Sequence, residues 1–426
     1  RRRRKHKATW ACPRACNSNM HRLCVTRAGA SVLPCQIALR PLNTSVKYEF
    51  SFYDASVEYY ALKPMRSMAM GYVLDYWKTV SPDRILASAR YLHTELPVRL
   101  ARPIRAMQTL PFIVLTNPNI RDVFDHYWET FQELRSFPPI ETLEQEAEYS
   151  RLLERGINIH KDVVTTLSMG VREIRRLPAS INLDFDALSN FIDKFLAERV
   201  SRRVLAEQHL AAHNPRHGWR GIVNMACSAY EHVRSCAEKV AGICEQAYGV
   251  APLVQIEGDL DTTFPYISMH LNYALFELLK NAFRAVVENH AFSSETRCGP
   301  LPLCGHDLPP IVVTICKGED VTIIIGDKGG GISKESMAQI WTYGFTTYDF
   351  NEHIKDGSNA AVGVVNLSAQ AQATQQMAGY GYGLPMARVY AKYMGGDVKV
   401  VSMPGYGTNV YLTIKPVREQ CERILI

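Results

Sequence analysis

HLNYALFELLKNAFRAVVEN, His270–Asn289, is the stretch on which the fold turns. At 100° per residue, Tyr273, Glu277, Lys280, Asn281 and Arg284 fall within a sector of about 100°, while Leu271, Ala274, Leu275, Leu278 and Ala282 occupy the opposite side. An amphipathic helix is predicted, with its acid, amide and bases gathered on one stripe. Taken alone, such a stripe reads as an ordinary exposed helix face. The downstream motifs give it a different meaning.

Beyond this helix, Ile311–Cys316 and Val321–Ile325 are rich in Val and Ile and read as paired buried strands. The second runs into Asp327-Lys328-Gly329-Gly330-Gly331. Farther on, Gly379-Tyr380-Gly381-Tyr382-Gly383-Leu384 precedes a helix starting near Leu384-Pro385. Val398–Met403 and Asn409–Ile414, joined by Pro404-Gly405-Tyr406-Gly407, form a terminal hairpin. With a helix over Met225–Tyr248 and strand edges at Leu253–Glu257 and Phe264, the expected architecture is an α/β sandwich, helices over one face of a mixed sheet.

Phosphoryl transfer requires a divalent cation on phosphate oxygens, a base site, backbone donors and a group that positions the nucleophile. Each has a candidate. Asn281 offers an uncharged oxygen suited to a hydrated Mg²⁺. Glu277, one turn earlier on the same face, can accept a proton from a hydroxyl or water. Asp327 ends a buried strand and can accept a hydrogen bond from an adenine amino group, with Gly329 and Gly331 allowing a tight turn past the ring. Gly379, Gly381 and Gly383 lead into a helix N-terminus whose N–H groups suit an anion. In isolation Asp327 is a turn residue and the glycines a loop; the ordered set is far more specific than any member.

Upstream, from Asp83 to about Leu210, the pattern is helical, punctuated by Pro97, Pro103, Pro111, Pro118 and Pro138-Pro139. Ile120–Phe137, Thr142–Arg176 and Phe185–Ala212 are predicted as long members of a four-helix bundle. The Asn214–Gly218 stretch is a plausible boundary, giving a helical domain over 49–213 and an ATP-binding domain over 219–418. Residues 351–378, rich in Ala, Gln, Asn, Ser and Gly without a clear period, read as a mobile lid.

The chain's 426 residues suffice for two or three domains. Its net charge of +6 is uneven: residues 1–48 hold 11 Lys and Arg and no acid, leaving 37 Lys and Arg against 42 Asp and Glu elsewhere. The body is mildly acidic, which argues against a nucleic-acid partner. The basic, acid-free first segment has the composition of a mitochondrial transit peptide. Cys12, Cys16, His21 and Cys24 superficially suggest a zinc knuckle, but the loop lengths match no standard pattern. With Cys35, four of the 11 cysteines fall in this segment; the other seven lack paired spacing and read as reduced thiols. No segment approaches the ~18 apolar residues of a membrane span.

The order of motifs resembles the ATPase domain shared by histidine kinases, Hsp90, MutL and DNA gyrase. Within that superfamily, Glu277-Leu278-Leu279-Lys280-Asn281-Ala282-Phe283-Arg284-Ala285, Phe345-Thr346-Thr347 and Gly381-Tyr382-Gly383-Leu384-Pro385-Met386-Ala387-Arg388 resemble the mitochondrial protein kinases of the 2-oxoacid dehydrogenase complexes. So do Ser88-Ala89-Arg90-Tyr91-Leu92, Glu95-Leu96-Pro97-Val98-Arg99, Leu110-Pro111-Phe112-Ile113, Phe137-Pro138-Pro139-Ile140 and His160-Lys161-Asp162-Val163-Val164, closer to the branched-chain than to the pyruvate members.

That resemblance implies Glu277 as the base orienting a substrate serine, Asn281 as the Mg²⁺ ligand and Asp327 as the adenine contact. It implies Thr346, Thr347, Gly381 and Leu384 around the nucleotide. Potassium would be held by main-chain oxygens of Ile340, Thr342, Phe345 and Gly381, with Thr342 standing where an acid is common. Arg199 and Arg203, one helical turn apart, would join His160 around a 2-oxoacid, two guanidiniums converging on a small carboxylate. It further implies a likeness to homodimers in the mitochondrial matrix that act on the E1 alpha subunit and dock on the lipoyl domain of E2. Lys328 in place of a usual arginine and an insertion at Glu295–Leu308 depart from the pattern. The resemblance implies the branched-chain complex as substrate, with the pyruvate complex as the alternative; three further readings remain open: a histidine phosphorelay through His93, which precedes Glu95 and Pro97; an Hsp90- or MutL-like hydrolase; and a catalytically silent scaffold.

Overall fold

A computed structural model describes residues 54–66, 68–178, 183–291, 307–346, 377, 379 and 381–417. The basic leader, Thr347, nearly all of 351–378 and most of the insertion lie outside the described residues. The described helical half begins with α1 (Ala55–Ala61) and α2 (Met70–Tyr76), then α3 (Pro82–Gln108), α4 (Phe112–Leu115), α5 (Pro118–Ser136), α6 (Leu143–Ile159), α7 (Val163–Arg175) and α8 (Phe185–Ala211). The rods of the expected four-helix bundle are α3, α5, α6 with its successor α7, and α8; α3 lies centrally and packs against α1, α5, α6 and α8.

Two sequence expectations are corrected here. Pro97 and Pro103 do not interrupt the chain: both lie inside the 27-residue α3. An interior proline costs about 3 kcal/mol. The stripe Leu92, Leu96, Leu100, Ile104 runs unbroken past both and is almost fully buried, and each such side chain contributes about 1.5–3 kcal/mol. Burial therefore outweighs the two lost hydrogen bonds. Conversely, Thr142–Arg176 is two helices. The capping box of Thr142 and Gln145 starts α6, but the chain breaks at His160-Lys161-Asp162, where the His160 ring and carbonyl are both engaged by other helices.

In the second half, β1 (Trp219–Arg220), β2 (Val223–Ser228) and β4 (Thr263–Tyr266) make a three-stranded antiparallel sheet in the order β1-β2-β4. β2 corrects a third expectation. Met225–Ser228 belong to the strand, Cys227 and Ser228 pairing with Phe264 and Thr263, and the helix α9 (Ala229–Tyr248) starts only after Ser228, whose hydroxyl accepts from the Glu231 N–H. The larger sheet has the order β3-β5-β6-β8-β7, built from β3 (Val254–Gly258), β5 (Ile311–Lys317), β6 (Val321–Asp327), β7 (Asp397–Met403) and β8 (Gly407–Ile414). β3 and β5 are parallel and the other pairs antiparallel, so the sheet is mixed as expected.

Helix α10 (Ser268–Ala291) contains the opening stretch and packs on α9, β6 and α12 (Gly383–Tyr393), with the short α11 (Lys334–Met337) lying between β6 and α12 in the chain. Its apolar side is the core: Leu271, Ala274, Leu275, Leu278 and Ala282 are buried, together with Leu279, Phe283, Val286 and Val287. On β6 the two-residue period places Val321, Ile323, Ile325 and Asp327 on the same buried face. The sheet thus delivers a carboxylate, at the end of an apolar row, beneath α10. The two halves also touch, α8 packing against α12, which explains why α8 is buried on more than one side.

Candidate active site

A cleft of about 500 Å³ opens between α10, the end of β6 and the start of α12. Glu277, Asn281, Asp327, Gly329, Gly331, Ile340, Phe345, Thr346, Gly379, Gly381, Gly383 and Leu384 all line it. Glu277, Asn281, Asp327 and the glycines, singled out by type and spacing, are therefore brought together with Ile340, Phe345, Thr346 and Leu384, which the family resemblance implies. Thr342 lies in the turn beside the cleft, its carbonyl accepting from the Phe345 N–H at 3.1 Å. Thr347 is outside the described residues.

Glu277 is fixed by a contact that spacing did not assign. The Lys280 ammonium lies 2.9 Å from Oε1 and 2.8 Å from Oε2, and the Lys280 and Glu277 side chains are only 7% and 14% exposed. Lys280 thus holds the carboxylate in one orientation with both oxygens engaged. The acid–base i,i+3 pair was visible in the sequence; that Lys280 turns into the cleft was not. Asn281, the next residue on the stripe, is exposed to the cleft, where its amide can meet an incoming cation.

Asp327 is 9% exposed. Its Oδ1 accepts from the Gly329 N–H at 2.9 Å. Burial raises its pKa to about 6, against the opposing backbone hydrogen bonds of Gly329 and Thr408. A donor arriving from a ligand would relieve that desolvation. The glycines beside it are required by close approach: a Cβ on Gly331 would lie 2.1 Å from the Met403 carbonyl oxygen, and Gly331 sits at φ 73°.

The start of α12 is equally crowded. A Cβ on Gly383 would lie 2.0 Å from Glu277 Oε2, and one on Gly381 would lie 2.4 Å from the Phe345 carbonyl oxygen. No side chain caps α12, so the first-turn N–H groups at Gly383 and Leu384 can serve an anion. The Gly344 N–H donates to the Gly381 carbonyl at 3.2 Å, which joins the turn carrying Ile340, Thr342 and Phe345 to the glycine motif. Tyr343 in that turn is buried, packs on Tyr382 at 5.0 Å and donates to Asp193 of α8. The donor set fits MgATP: an amide oxygen for the cation, N–H groups for phosphates and a buried carboxylate for the base.

The bundle cluster is rearranged relative to expectation. Arg199 Nη2 donates to the His160 carbonyl at 3.0 Å, and Arg202 Nη2 lies 3.2 Å from His160 Nδ1. Burial, with Arg202 and Arg199 adding to it, drives the His160 pKa down to about 2. The ring is neutral, so Nδ1 accepts from Arg202 and Nε2–H donates to Thr130 Oγ1 at 2.8 Å. Arg203 does not converge with Arg199: Glu207, one turn on, takes its guanidinium at 2.8 Å from Nε. Arg203 still lines a small cavity of about 30 Å³ beside His160 and Arg202. Arg202, whose role went unread, lies 4.5 Å over the Tyr127 ring. Arg199 Nε and Arg202 Nη1 are buried without a hydrogen-bond partner among the described residues.

His93 is half-buried in α3 and donates Nε2–H to the Phe137 carbonyl at 2.8 Å, with its ring against Tyr149. That leaves it poorly disposed as a phosphate acceptor.

Comparison with known proteins places both halves of the chain in families. Residues 67–237 match the family described as mitochondrial branched-chain alpha-ketoacid dehydrogenase kinase, and 267–418 match the histidine kinase-, DNA gyrase B- and HSP90-like ATPase family. The chain is similar to the mitochondrial pyruvate dehydrogenase (acetyl-transferring) kinase of Arabidopsis thaliana, 34% identical over 358 residues that cover 83% of this chain and 92% of the relative. It is similar to that of Drosophila melanogaster, 32% identical with 79% and 78% covered, and to isozyme 1 of Rattus norvegicus, 29% identical with 86% and 81% covered. No helix among the described residues is long and apolar enough to cross a membrane. The chain belongs to the mitochondrial 2-oxoacid dehydrogenase kinases, ATP-dependent protein serine kinases with a histidine-kinase-type ATP-binding half.

Proposed function

We propose that this kinase transfers the γ-phosphoryl group of MgATP to a serine of the E1 alpha subunit of a 2-oxoacid dehydrogenase complex in the mitochondrial matrix, and so switches the complex off. The observation that carries the reading is the Glu277 carboxylate, clamped by Lys280 beside the exposed amide of Asn281 in one cleft. Glu277 accepts the proton of the serine hydroxyl, and Lys280 keeps its oxygens aimed. Asn281 holds Mg²⁺, which when bound spreads the developing charge over the phosphate oxygens. Asp327 accepts from the adenine amino group. Thr346, Thr347, Gly381 and Leu384 line the nucleotide, and the N–H groups at Gly379, Gly381, Gly383 and the helix start face its phosphates. Carbonyls of Ile340, Thr342, Phe345 and Gly381 hold K⁺.

In the same reading, 1–48 is the transit peptide, 49–213 docks on the lipoyl domain of E2 and holds the regulatory pocket, and 219–418 is the kinase domain of a homodimer. The lid of this reading, 351–378, lies almost wholly outside the described residues. The buried, unpartnered guanidinium nitrogens of Arg199 and Arg202 next to His160 support an anionic 2-oxoacid at that point.

Two complexes compete as substrate. The match over 67–237 favours the branched-chain complex; the names of the similar proteins from plant, insect and mammal favour the pyruvate complex at least as well. Initial rates on the two purified E1 proteins, each with its E2 core, decide between them. A faster rate on branched-chain E1 supports the first, and a faster rate on pyruvate E1 replaces it with the second.

A further inference from the structure

Far from the ATP cleft, four polar side chains converge where α6 meets the C-terminal end of α8. Glu146 Oε1 lies 3.1 Å from His209 Nε2 and 3.0 Å from His213 Nε2. Ser150 Oγ lies 2.7 Å from the same Glu146 oxygen, 3.1 Å from His209 Nε2 and 3.3 Å from His213 Nε2. His209 lies in the last turn of α8, and His213 in the turn that follows it, where its N–H donates to the Leu210 carbonyl at 3.2 Å. Glu146 and Ser150, four apart, face them from the first turns of α6. Among the described residues this is the one group of three or more His, Cys, Asp or Glu side chains with metal-ligand spacing.

We propose that Glu146, His209 and His213 form a Zn²⁺ site that ties α6 to the end of α8, with Ser150 or a water at the fourth position. The donor set is that of a zinc centre, two imidazole nitrogens and one carboxylate oxygen. Ligands about 2.0–2.2 Å from a tetrahedral ion lie about 3.3–3.5 Å apart. Glu146 Oε1 lies 3.0–3.1 Å from the two imidazole nitrogens, so those separations need to open by only a few tenths of an ångström, and the Ser150 contact at 2.7 Å by about 0.6–0.8 Å.

Three surrounding features suit a metal better than a plain hydrogen-bond cluster. His209 Nδ1 is 3.0 Å from Ser88 Oγ of α3; with the ion bound, donation there would hold the tautomer whose Nε2 lone pair faces the metal. Glu146 and the His209 side chain are almost fully buried, whereas the His213 side chain is 34% exposed, so an ion has a way in from solvent. Glu146 also serves three neighbours through one oxygen, so a single carboxylate position gathers both imidazoles and the Ser150 hydroxyl. Because Gln208, beside His209, brackets the β1–β2 turn through Arg220 and Ile222, the ion would stiffen the junction between the helical half and the ATP half.

The test titrates the metal-free full chain, without nucleotide, with Co²⁺ as a spectroscopic stand-in for Zn²⁺. One equivalent should bind with the visible absorption of a four- or five-coordinate site, lack a thiolate charge-transfer band, and be displaced by Zn²⁺. His213→Ala, on the exposed ligand, should keep the far-UV circular dichroism of the wild type and weaken binding by about 100-fold or more, and Ser88→Ala by about 10-fold. Glu146→Gln gives an independent reading at the second helix. Absence of a bound equivalent, a thiolate band assigning the ion to cysteines, or wild-type affinity in His213→Ala would overturn the proposal.

Discussion

The Lys280 ammonium contacts both carboxylate oxygens of Glu277, at 2.9 and 2.8 Å, across one turn of α10. This clamp gives the two residues separable roles. Glu277→Gln keeps shape but removes the base, so transfer to protein should fall by about 10²–10⁴-fold while ATP affinity by calorimetry stays near wild type. Lys280→Met leaves the base free to rotate and should cost about 10–100-fold in kcat. Equal, small losses in both variants would show that the clamp is structural only.

Gly383 crowds the same carboxylate from the other side. A Cβ there would fall 2.0 Å from Glu277 Oε2 and 3.0 Å from its Cδ, so the clamped carboxylate must shift. Gly383→Ala should therefore lower kcat, with far-UV circular dichroism unchanged. A variant with unchanged kcat would mean that Glu277 can move without penalty.

On α10, much of the site was legible in the residues themselves. The face assignment of Glu277, Asn281 and the buried leucines came from a 3.6-residue period, and the motif order indicated which loops would meet it. The Lys280 contact was not legible, since a lysine's four-carbon stem can reach solvent as easily as a neighbour. In the bundle, Pro97 and Pro103 misled because local backbone preference was overruled by long-range burial. The break at His160 was invisible because its cause, capture by Arg199 and Arg202, lies on another helix. Arg203 was chosen for its i,i+4 spacing to Arg199, and Glu207 at the next i,i+4 position claims it.

Asn281 is exposed in the cleft one turn from Glu277. Asn281→Ala should weaken nucleotide binding when Mg²⁺ is present and leave the weak Mg²⁺-free binding unchanged. Calorimetry with and without the cation separates the two; identical affinities for variant and wild type would contradict the ligand role.

Asp327 supplies a pH signature. Its folded pKa, about 6, exceeds the ordinary 3.8. The folded state thus binds the extra proton, so this residue's contribution to stability is complete below about pH 4 and is lost as pH rises through about 6. The adenine amino group requires the carboxylate, so ATP affinity should rise over the same window as pH increases. In Asp327→Asn that pH dependence should disappear along with most of the affinity. A wild-type affinity that is flat between about pH 5 and pH 7 would contradict the assignment.

In the bundle, Arg199→Ala and Arg202→Ala remove the guanidiniums that engage His160 and should abolish the response of kinase rate to branched-chain 2-oxoacids. Arg203→Ala, already paired with Glu207, should blunt it less. Dose–response curves for the three variants check the order; a response lost only in Arg203→Ala would reverse it.

The most direct measurement incubates the full chain with γ-labelled ATP, Mg²⁺ and each purified E1 protein with its E2 core, then maps the labelled residue. A phosphoserine on one E1 alpha subunit, absent with Glu277→Gln, is the predicted result. Label confined to a histidine of the kinase itself, or ATP hydrolysis without label on either E1, would contradict it.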